Sequence, residues 1–99
     1  MFNIQGFYKI KSIVNCNLHK EEIKTYLLSQ SVKGTVILSP EGINGTIAGK
    51  KINVNSCIKF IKDRFSIDIF DSKNSSTCKF LPFYRAKVKV KKEVVPIGL

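Results

Sequence analysis

The sequence predicts an α+β protein, and the order of its apolar patterns supports this class. Short alternating or β-branched segments and helical periods follow one another as β-α-β-β-α-β. That order is typical of the ferredoxin-like (acylphosphatase-like) fold, a four-stranded antiparallel sheet with both helices on one face. Right-handed crossovers then place the first and third strands in the middle and the second and fourth at the edges. We expect residues 1–99, with 43% hydrophobic residues, to form one domain around a single core.

The local residue pattern predicts the first three secondary-structure elements. Residues 7–13 alternate as a strand, with Lys9 and Lys11 on the same side. Asn17 is a plausible N-cap for a helix that runs to about Gln30. Residues 33–39, KGTVILS, are short and β-branched, which favours a second strand.

The remaining elements follow in the same way. Residues 45–49 predict a short third strand, and Asn53 opens a second amphipathic helix. Residues 66–70 read as a short extended piece, and residues 71–77, DSKNSST, as a polar loop. The last strand is the clearest, because Tyr84–Lys92 alternates at period two.

Charge is the strongest global signal. Seventeen Lys and Arg stand against seven Asp and Glu, for a net charge of +10. Such an excess on a small domain favours a polyanionic partner, nucleic acid before membrane. The alternative is a lysine-rich surface that only keeps the protein soluble.

The last strand concentrates this charge on one face, opposite Ala86, Val88 and Val90. In the predicted topology it neighbours the first strand, so the two strands share one basic surface away from the helices. Like charges side by side on a sheet repel, and RNA phosphates would relieve that repulsion. The alternative is that the lysines only protect an edge strand from aggregation. The candidate RNA-binding residues are Lys9, Lys11, Arg85, Lys87, Lys89 and Lys91.

The sequence offers no self-contained catalytic or metal site. Cys16, Cys57 and Cys78 are widely spaced, no CxxC pair is present, and His19 is the only histidine. We therefore expect no disulfide framework, no metal site and no cofactor in this domain. Lys79 and the basic segment that follows give Cys78 a hint of thiol reactivity.

The sequence lacks the residues for two other functions of this fold class. Acylphosphatase chemistry needs a glycine-containing loop and an arginine between the first strand and first helix, and the segment VNCN has neither. RRM-type recognition needs stacking aromatics on the third strand, and NGTIAG has none. A structural or interaction module remains the alternative to an RNA-binding function.

The sequence shows neither a membrane-spanning segment nor a signal peptide. No apolar segment approaches the ~18–20 residues that span a bilayer. The N-terminus, MFNIQGFYKIK, does not resemble a signal peptide. We expect a soluble, cytoplasmic protein that does not bind membranes.

The segment SPEGINGT, residues 39–46, has more turn residues than a hairpin needs. Asn44-Gly45 is a strong hairpin signal, and Gly42 adds a second flexible point. We expect a compact double turn in which Ile43 packs inward and Glu41 stays exposed. On physical grounds alone, a simple turn and a functional loop have equal weight.

Two segments together resemble a known family. KGTVILSPEGINGTIAG, residues 33–49, and PFYRAKVKVKKEVVPIG, residues 82–98, are similar to the N-terminal domain of the rhodanese-related, oxygen-dependent tRNA uridine hydroxylases. The first motif is matched at Glu41, Gly42, Ile43, Asn44, Gly45 and Thr46. Ser39-Pro40 departs from the Ala-Asn that commonly precedes it in the family.

The resemblance implies that the parent protein hydroxylates the wobble uridine of tRNA at C5 with molecular oxygen as co-substrate. It also implies a catalytic rhodanese domain after residue 99, with the family's catalytic cysteine in that domain. None of Cys16, Cys57 and Cys78 matches that cysteine. The expected role of this chain is therefore to contact tRNA without catalysing the reaction by itself, and its other expected partner is the rhodanese domain.

Overall fold

The computed structural model of the chain describes residues 1–92, which form two helices and one five-stranded sheet. In chain order the elements are β1 (Phe2–Ile10), α1 (Cys16–Ser29), β2 (Lys33–Ser39), β3 (Gly42–Gly49), α2 (Lys51–Phe65), β4 (Ser72–Cys78) and β5 (Ala86–Val90). The order is β-α-β-β-α-β-β, with one strand more than the sequence predicts.

The strands lie in the order β4-β1-β3-β2-β5. β1 and β3 occupy the middle, as predicted, and their pairings are antiparallel. β5 pairs with β2 in parallel, so β2 is not an edge strand. The predicted sheet of four antiparallel strands is therefore corrected to a mixed sheet of five.

The added strand is β4, which the sequence reading assigned to a polar loop. It pairs with β1 from Phe2↔Cys78 to Tyr8↔Ser72. Six of its seven residues are exposed and none is a large apolar residue. Because an edge strand without a buried face has no apolar alternation, its sequence carries no strand signal.

Several element boundaries also differ from the prediction. α1 and α2 begin at Cys16 and Lys51, not after Asn17 and Asn53, and neither helix has a side-chain capping bond at its N-terminus. β1 begins at Phe2 and leaves the sheet after Ile10. Residues 66–70 are not a strand, although Ile67 and Phe70 are buried there.

Both helices cover one face of the sheet, and the core lies between the two layers. α1 packs against β2 and β5, and α2 packs against β1 and β3. Full burial of a Phe, Leu or Ile side chain contributes about 1.5–3 kcal/mol, so this layer supplies most of the stability. The largest fully buried side chains include Phe7, Ile23, Leu27, Leu38, Ile43, Ile47 and Ile61.

Register assigns each strand residue to a face. Partners in neighbouring strands lie on the same side, so Phe7, Gly45, Val36 and Val88 form one row on the helix face. The next row, on the opposite side, is Ser72, Tyr8, Asn44, Ile37 and Lys89. We call this opposite side the outer face.

Candidate nucleic-acid interface

The outer face carries basic and uncharged side chains. Its larger side chains are Phe2, Ile4, Tyr8 and Ile10 of β1, Asn44 and Thr46 of β3, Lys33, Thr35 and Ile37 of β2, Lys87 and Lys89 of β5, and Ser72, Asn74 and Ser76 of β4. None of the paired strand positions on this face carries an acidic residue. Positive charge on this face is therefore not neutralised by carboxylates from the sheet.

The basic residues gather at the β2–β5 edge. Lys87 and Lys89 are exposed and lie on the outer face, in register with Thr35 and Ile37. Arg85 and Lys91 are exposed and flank β5, held by backbone bonds from Gly34 N to Arg85 O and from Lys91 N to Leu38 O. Lys33, which the sequence reading did not include, lies on the same face.

Lys9 and Lys11 do not belong to this basic edge, and the predicted shared surface is wrong. β5 is separated from β1 by β3 and β2. Lys9 is in register with the buried Ile43, so it lies on the helix side, where its Nζ is 3.3 Å from Oδ1 of Asp71. Lys11 follows β1, half-buried, with its backbone bonded to Glu41. The prediction paired the basic strand with β1 because the strand β4 was not recognised.

The described ion pairs all lie off the outer face. Besides Lys9–Asp71, they join Arg64 to Glu22 between the helices and Lys59 to Asp63 within α2, at 2.8 Å. The basic residues of the β5 edge take part in none of these described pairs. The described carboxylate pairs thus lie away from the outer face, and none of them offsets the charge of the β5 edge.

The turn in SPEGINGT lies earlier than predicted. Ser39 pairs with Gly42, so the two-residue loop is Pro40-Glu41, and Asn44-Gly45 lies inside β3. Ile43 is fully buried and Glu41 is exposed, which confirms both of those predictions.

Close packing explains the two glycines of this segment. A Cβ on Gly45 would lie 2.6 Å from Cζ of Phe7, so the glycine leaves room for that ring. A Cβ on Gly42 would lie 2.2 Å from the carbonyl oxygen of Lys9. Packing therefore accounts for Gly42, Ile43 and Gly45, whereas Glu41 is an exposed residue of the motif.

Two aromatic residues, one on the outer face and one beside the basic edge, were not predicted from the sequence. Tyr8 is half-buried on the outer face, between Asn44 and Ser72 in its row. Tyr84 is 96% exposed beside Arg85. Exposed aromatic rings near basic groups are typical of surfaces that stack nucleobases. The alternation of β1 indicates the position of Tyr8, because adjacent strand residues such as Phe7 and Tyr8 lie on opposite faces, whereas the prediction considered aromatic residues of the third strand alone.

The cysteines have no features of a catalytic site. Cys16 and Cys57 are buried free thiols; burial raises the pKa of Cys57 to about 12 and also raises the pKa of Cys16. Cys78 is half-buried and free. Within residues 1–92, no group of three or more His, Cys, Asp and Glu side chains could hold a metal ion.

Two further features bear on function. The β1–α1 connection, residues 11–15, contains no glycine or arginine, so it lacks the groups that acylphosphatase chemistry needs. Neither described helix is long and apolar enough to cross a membrane.

Solved structures show the class of fold. The chain is similar to the acylphosphatase of Bacillus subtilis, with a TM-score of 0.60 and 11% identity over 92% of this chain and 100% of that one. It is also similar to full-length HypF, with a TM-score of 0.63 and 17% identity over 97% of this chain and 13% of that one. At these identities the similarity shows an acylphosphatase-like fold alone.

Sequence comparison then identifies the family. The family model of the UPF0176 acylphosphatase-like domain matches residues 2–94, and the chain belongs to this family. It is 44% identical over 99 residues to the tRNA uridine(34) hydroxylase of Pelagibacter ubique, covering 100% of this chain and 33% of that protein. It is 33% identical over 96 residues to the enzyme of the same name from Teredinibacter turnerae, covering 97% and 30%. The chain thus spans about a third of the length of these curated relatives, and the resemblance inferred from its two motifs is confirmed. Glu93–Val95 of the second motif lie outside the described residues.

Proposed function

We propose that this chain is the tRNA-contacting domain of an enzyme that hydroxylates uridine 34 of tRNA at C5 with molecular oxygen. The observation that carries the proposal is the 44% identity over the full chain to a relative named tRNA uridine(34) hydroxylase. The chain spans a third of that relative. We propose that the catalytic groups lie in a further domain of the parent protein, a rhodanese domain that follows residue 99.

The outer face supplies a physical basis for the tRNA contact. Lys87 and Lys89 are two residues apart on one strand face, so they project in parallel about 6.6 Å from each other. With Arg85, Lys91 and Lys33 they form a line of cations along the β2–β5 edge. Contacts from such a line bind phosphates and set the position of the RNA without reading its sequence.

The centre of the same face suits bases rather than phosphates. Tyr8 lies three strands from Lys89 in the same row, which is about 14 Å at a strand spacing of ~4.8 Å. Ile37 and Asn44 lie between them and carry no charge. An RNA strand whose phosphates follow the β5 edge can direct its bases over this neutral row, where aromatic rings and amides contact bases.

The test is to replace Lys87, Lys89 and Lys91 together by glutamine and to measure tRNA binding at several salt concentrations. We expect at least a tenfold loss of affinity and a decrease of about 2–3 in the slope of log K against log salt, since each phosphate contact contributes nearly one unit. The matched control replaces Lys20, Lys24 and Lys59 on the helices, which changes the net charge equally. Equal losses in the two triple variants would show that net charge, and not this edge, binds tRNA.

A second candidate, an interaction module, is favoured by one apolar region. Val14 is 72% exposed and Val90 is 37% exposed, and both line a pocket of about 560 Å³ beside α1 and β5. This region could pack on another domain of the parent protein. The alternative predicts that tRNA leaves the NMR spectrum of the 99-residue chain unchanged. Ile43 is buried in the domain's own core and is not part of this apolar region.

A further inference from the structure

We propose that a pocket at the Pro40-Glu41 turn binds one guanine base of the RNA held on the outer face. The pocket has a volume of about 320 Å³ and is lined by Tyr8, Ile10, Ser12, Pro40 and Glu41. It lies at the end of the sheet where β1 finishes and β2 turns into β3. The choice of RNA as partner rests on the proposed function, whereas the choice of base follows from the residues that line the pocket.

The two walls of the pocket are tied together by backbone hydrogen bonds. Lys11 N donates to Glu41 O at 2.9 Å, and Ile13 N donates to Pro40 O at 3.1 Å. The turn is fixed from its other side, where Glu41 N donates to Oγ of the buried Ser39 at 3.0 Å. The pocket is therefore preformed, and a ligand does not have to order the loop on binding.

The apolar lining suits a flat ring. Tyr8 presents a half-buried aromatic ring, and Ile10 is 65% exposed although it ends a sheet strand. Pro40 is exposed on the opposite wall. Stacking a base on an aromatic side chain contributes about 1–3 kcal/mol and is available to every base. Stacking explains why a base would enter the pocket, and the polar groups decide which base.

Glu41 is the group that selects guanine. It is exposed, and none of the described ion pairs includes it. An ionised carboxylate accepts hydrogen bonds through two oxygens and donates none. Guanine presents two adjacent donors on its Watson–Crick edge, N1–H and N2–H, so it can bind the carboxylate in a bidentate manner. The corresponding edges of uracil, adenine and cytosine offer a single donor group beside acceptors.

Ser12 completes the match. Its hydroxyl can donate to an acceptor such as guanine O6, next to the donors that contact Glu41. The sign of the Glu41 charge supports the same conclusion. A carboxylate on a surface that binds phosphates repels the RNA backbone, so this position favours RNA only where a base, and not a phosphate, contacts it.

The experiment titrates the isotope-labelled 99-residue chain with guanosine 5′-monophosphate and, separately, with uridine 5′-monophosphate. We expect saturable amide shifts at residues 10–13, 41 and 42 with the guanine nucleotide and at least tenfold weaker binding of the uracil nucleotide. Glu41→Gln should remove this preference, because the carboxamide NH2 replaces one of the two acceptor oxygens by a donor that faces a guanine N–H. Glu21→Gln, an exposed and equally charged position on α1, is the control and should keep it.

The outcome is separable from that of the proposed function. A preference for the guanine nucleotide that persists in Glu41→Gln, or no preference in the unmodified chain, would overturn the pocket assignment. If tRNA binding still depends on Lys87 and Lys89 in that case, the proposed function stands without the pocket. If the guanine nucleotide binds at residues 10–13 and 40–42 but tRNA does not bind, the pocket stands and the tRNA-contacting role fails.

Discussion

The two faces of the sheet are built from alternate residues of the same strands, yet their roles differ. Phe7 is fully buried against the helices, and Tyr8, the next residue, lies half-buried on the outer face. The helix face carries most of the buried apolar side chains, and the outer face mixes apolar and uncharged polar side chains with lysines at one edge. Substitutions on the helix face should therefore change stability, and those on the outer face should change binding.

The largest expected difference in stability between the two faces is at the neighbouring residues Phe7 and Tyr8. Phe7→Ala should lower the free energy of unfolding by about 3–5 kcal/mol, because it removes a fully buried ring and leaves a cavity. Tyr8→Ala should lower it by about 1 kcal/mol or less, since only part of its surface is buried. Urea denaturation of the two variants measures both values. Equal losses would mean that the outer face is a second core and not a binding surface.

A smaller effect is expected at Gly45, where the helix face has no spare volume. Gly45→Ala adds a methyl group 2.6 Å from Cζ of Phe7. Such overpacking costs about 1–3 kcal/mol of the free energy of unfolding. A double-mutant cycle with Phe7→Leu tests the cause, because the smaller side chain should recover part of the loss. Additive losses in the cycle would show that the added methyl group destabilises the protein through contacts other than the one with Phe7.

The smallest expected effect is a pH dependence in the helix layer, where His19 contacts Arg64. Arg64 Nε donates to His19 Nδ1 at 2.7 Å, and burial followed by the positive charge of Arg64 lowers the pKa of His19 below 6.5. The unfolded chain therefore binds this proton at a higher pH than the folded chain does. The contribution of His19 to the free energy of unfolding is complete above pH 6.5 and is lost as the pH falls below that value.

Unfolding measured between pH 7.5 and 5.5 tests this dependence. His19 is the only histidine, and His19→Asn keeps an acceptor near Nδ1 without titrating, so the variant should flatten the profile. An unchanged slope in His19→Asn would assign the dependence to other groups. The tRNA affinity of the outer face should not follow this titration, because His19 lies between the helices.

The elements that the sequence predicted well have a periodic burial pattern. β2, both helices and β5 alternate or repeat because one side of each is buried, and the two motifs around β3 and β5 were enough to recognise the family. β4 was missed because almost all of its residues are exposed. The Asn44-Gly45 turn was predicted from local propensity, but Gly45 serves the ring of Phe7, a contact between residues 38 positions apart in the chain.

The candidate site was predicted in part. Lys87 and Lys89 lie together on the outer face because period-two alternation is a local property of one strand. Lys9 was placed wrongly because the face and the neighbours of β1 depend on which strand pairs with it. The pocket at Pro40-Glu41 could not be predicted, since it depends on bonds from Lys11 and Ile13 to a turn that is distant in sequence.

The sequence alone determined the family, the excess of positive charge, the two-layer α+β architecture and the basic side of the last strand. The family follows from the resemblance of two sequence motifs. The other properties depend on composition and on local periodicity, which do not change with strand order. Only the tertiary structure decided that β5 lies beside β2, that Lys9 pairs with Asp71, and that Tyr8 and Glu41 meet at one pocket. Strand order and pairing are set by the burial of whole faces and by backbone hydrogen bonds between distant segments, and neither leaves a local pattern in the chain.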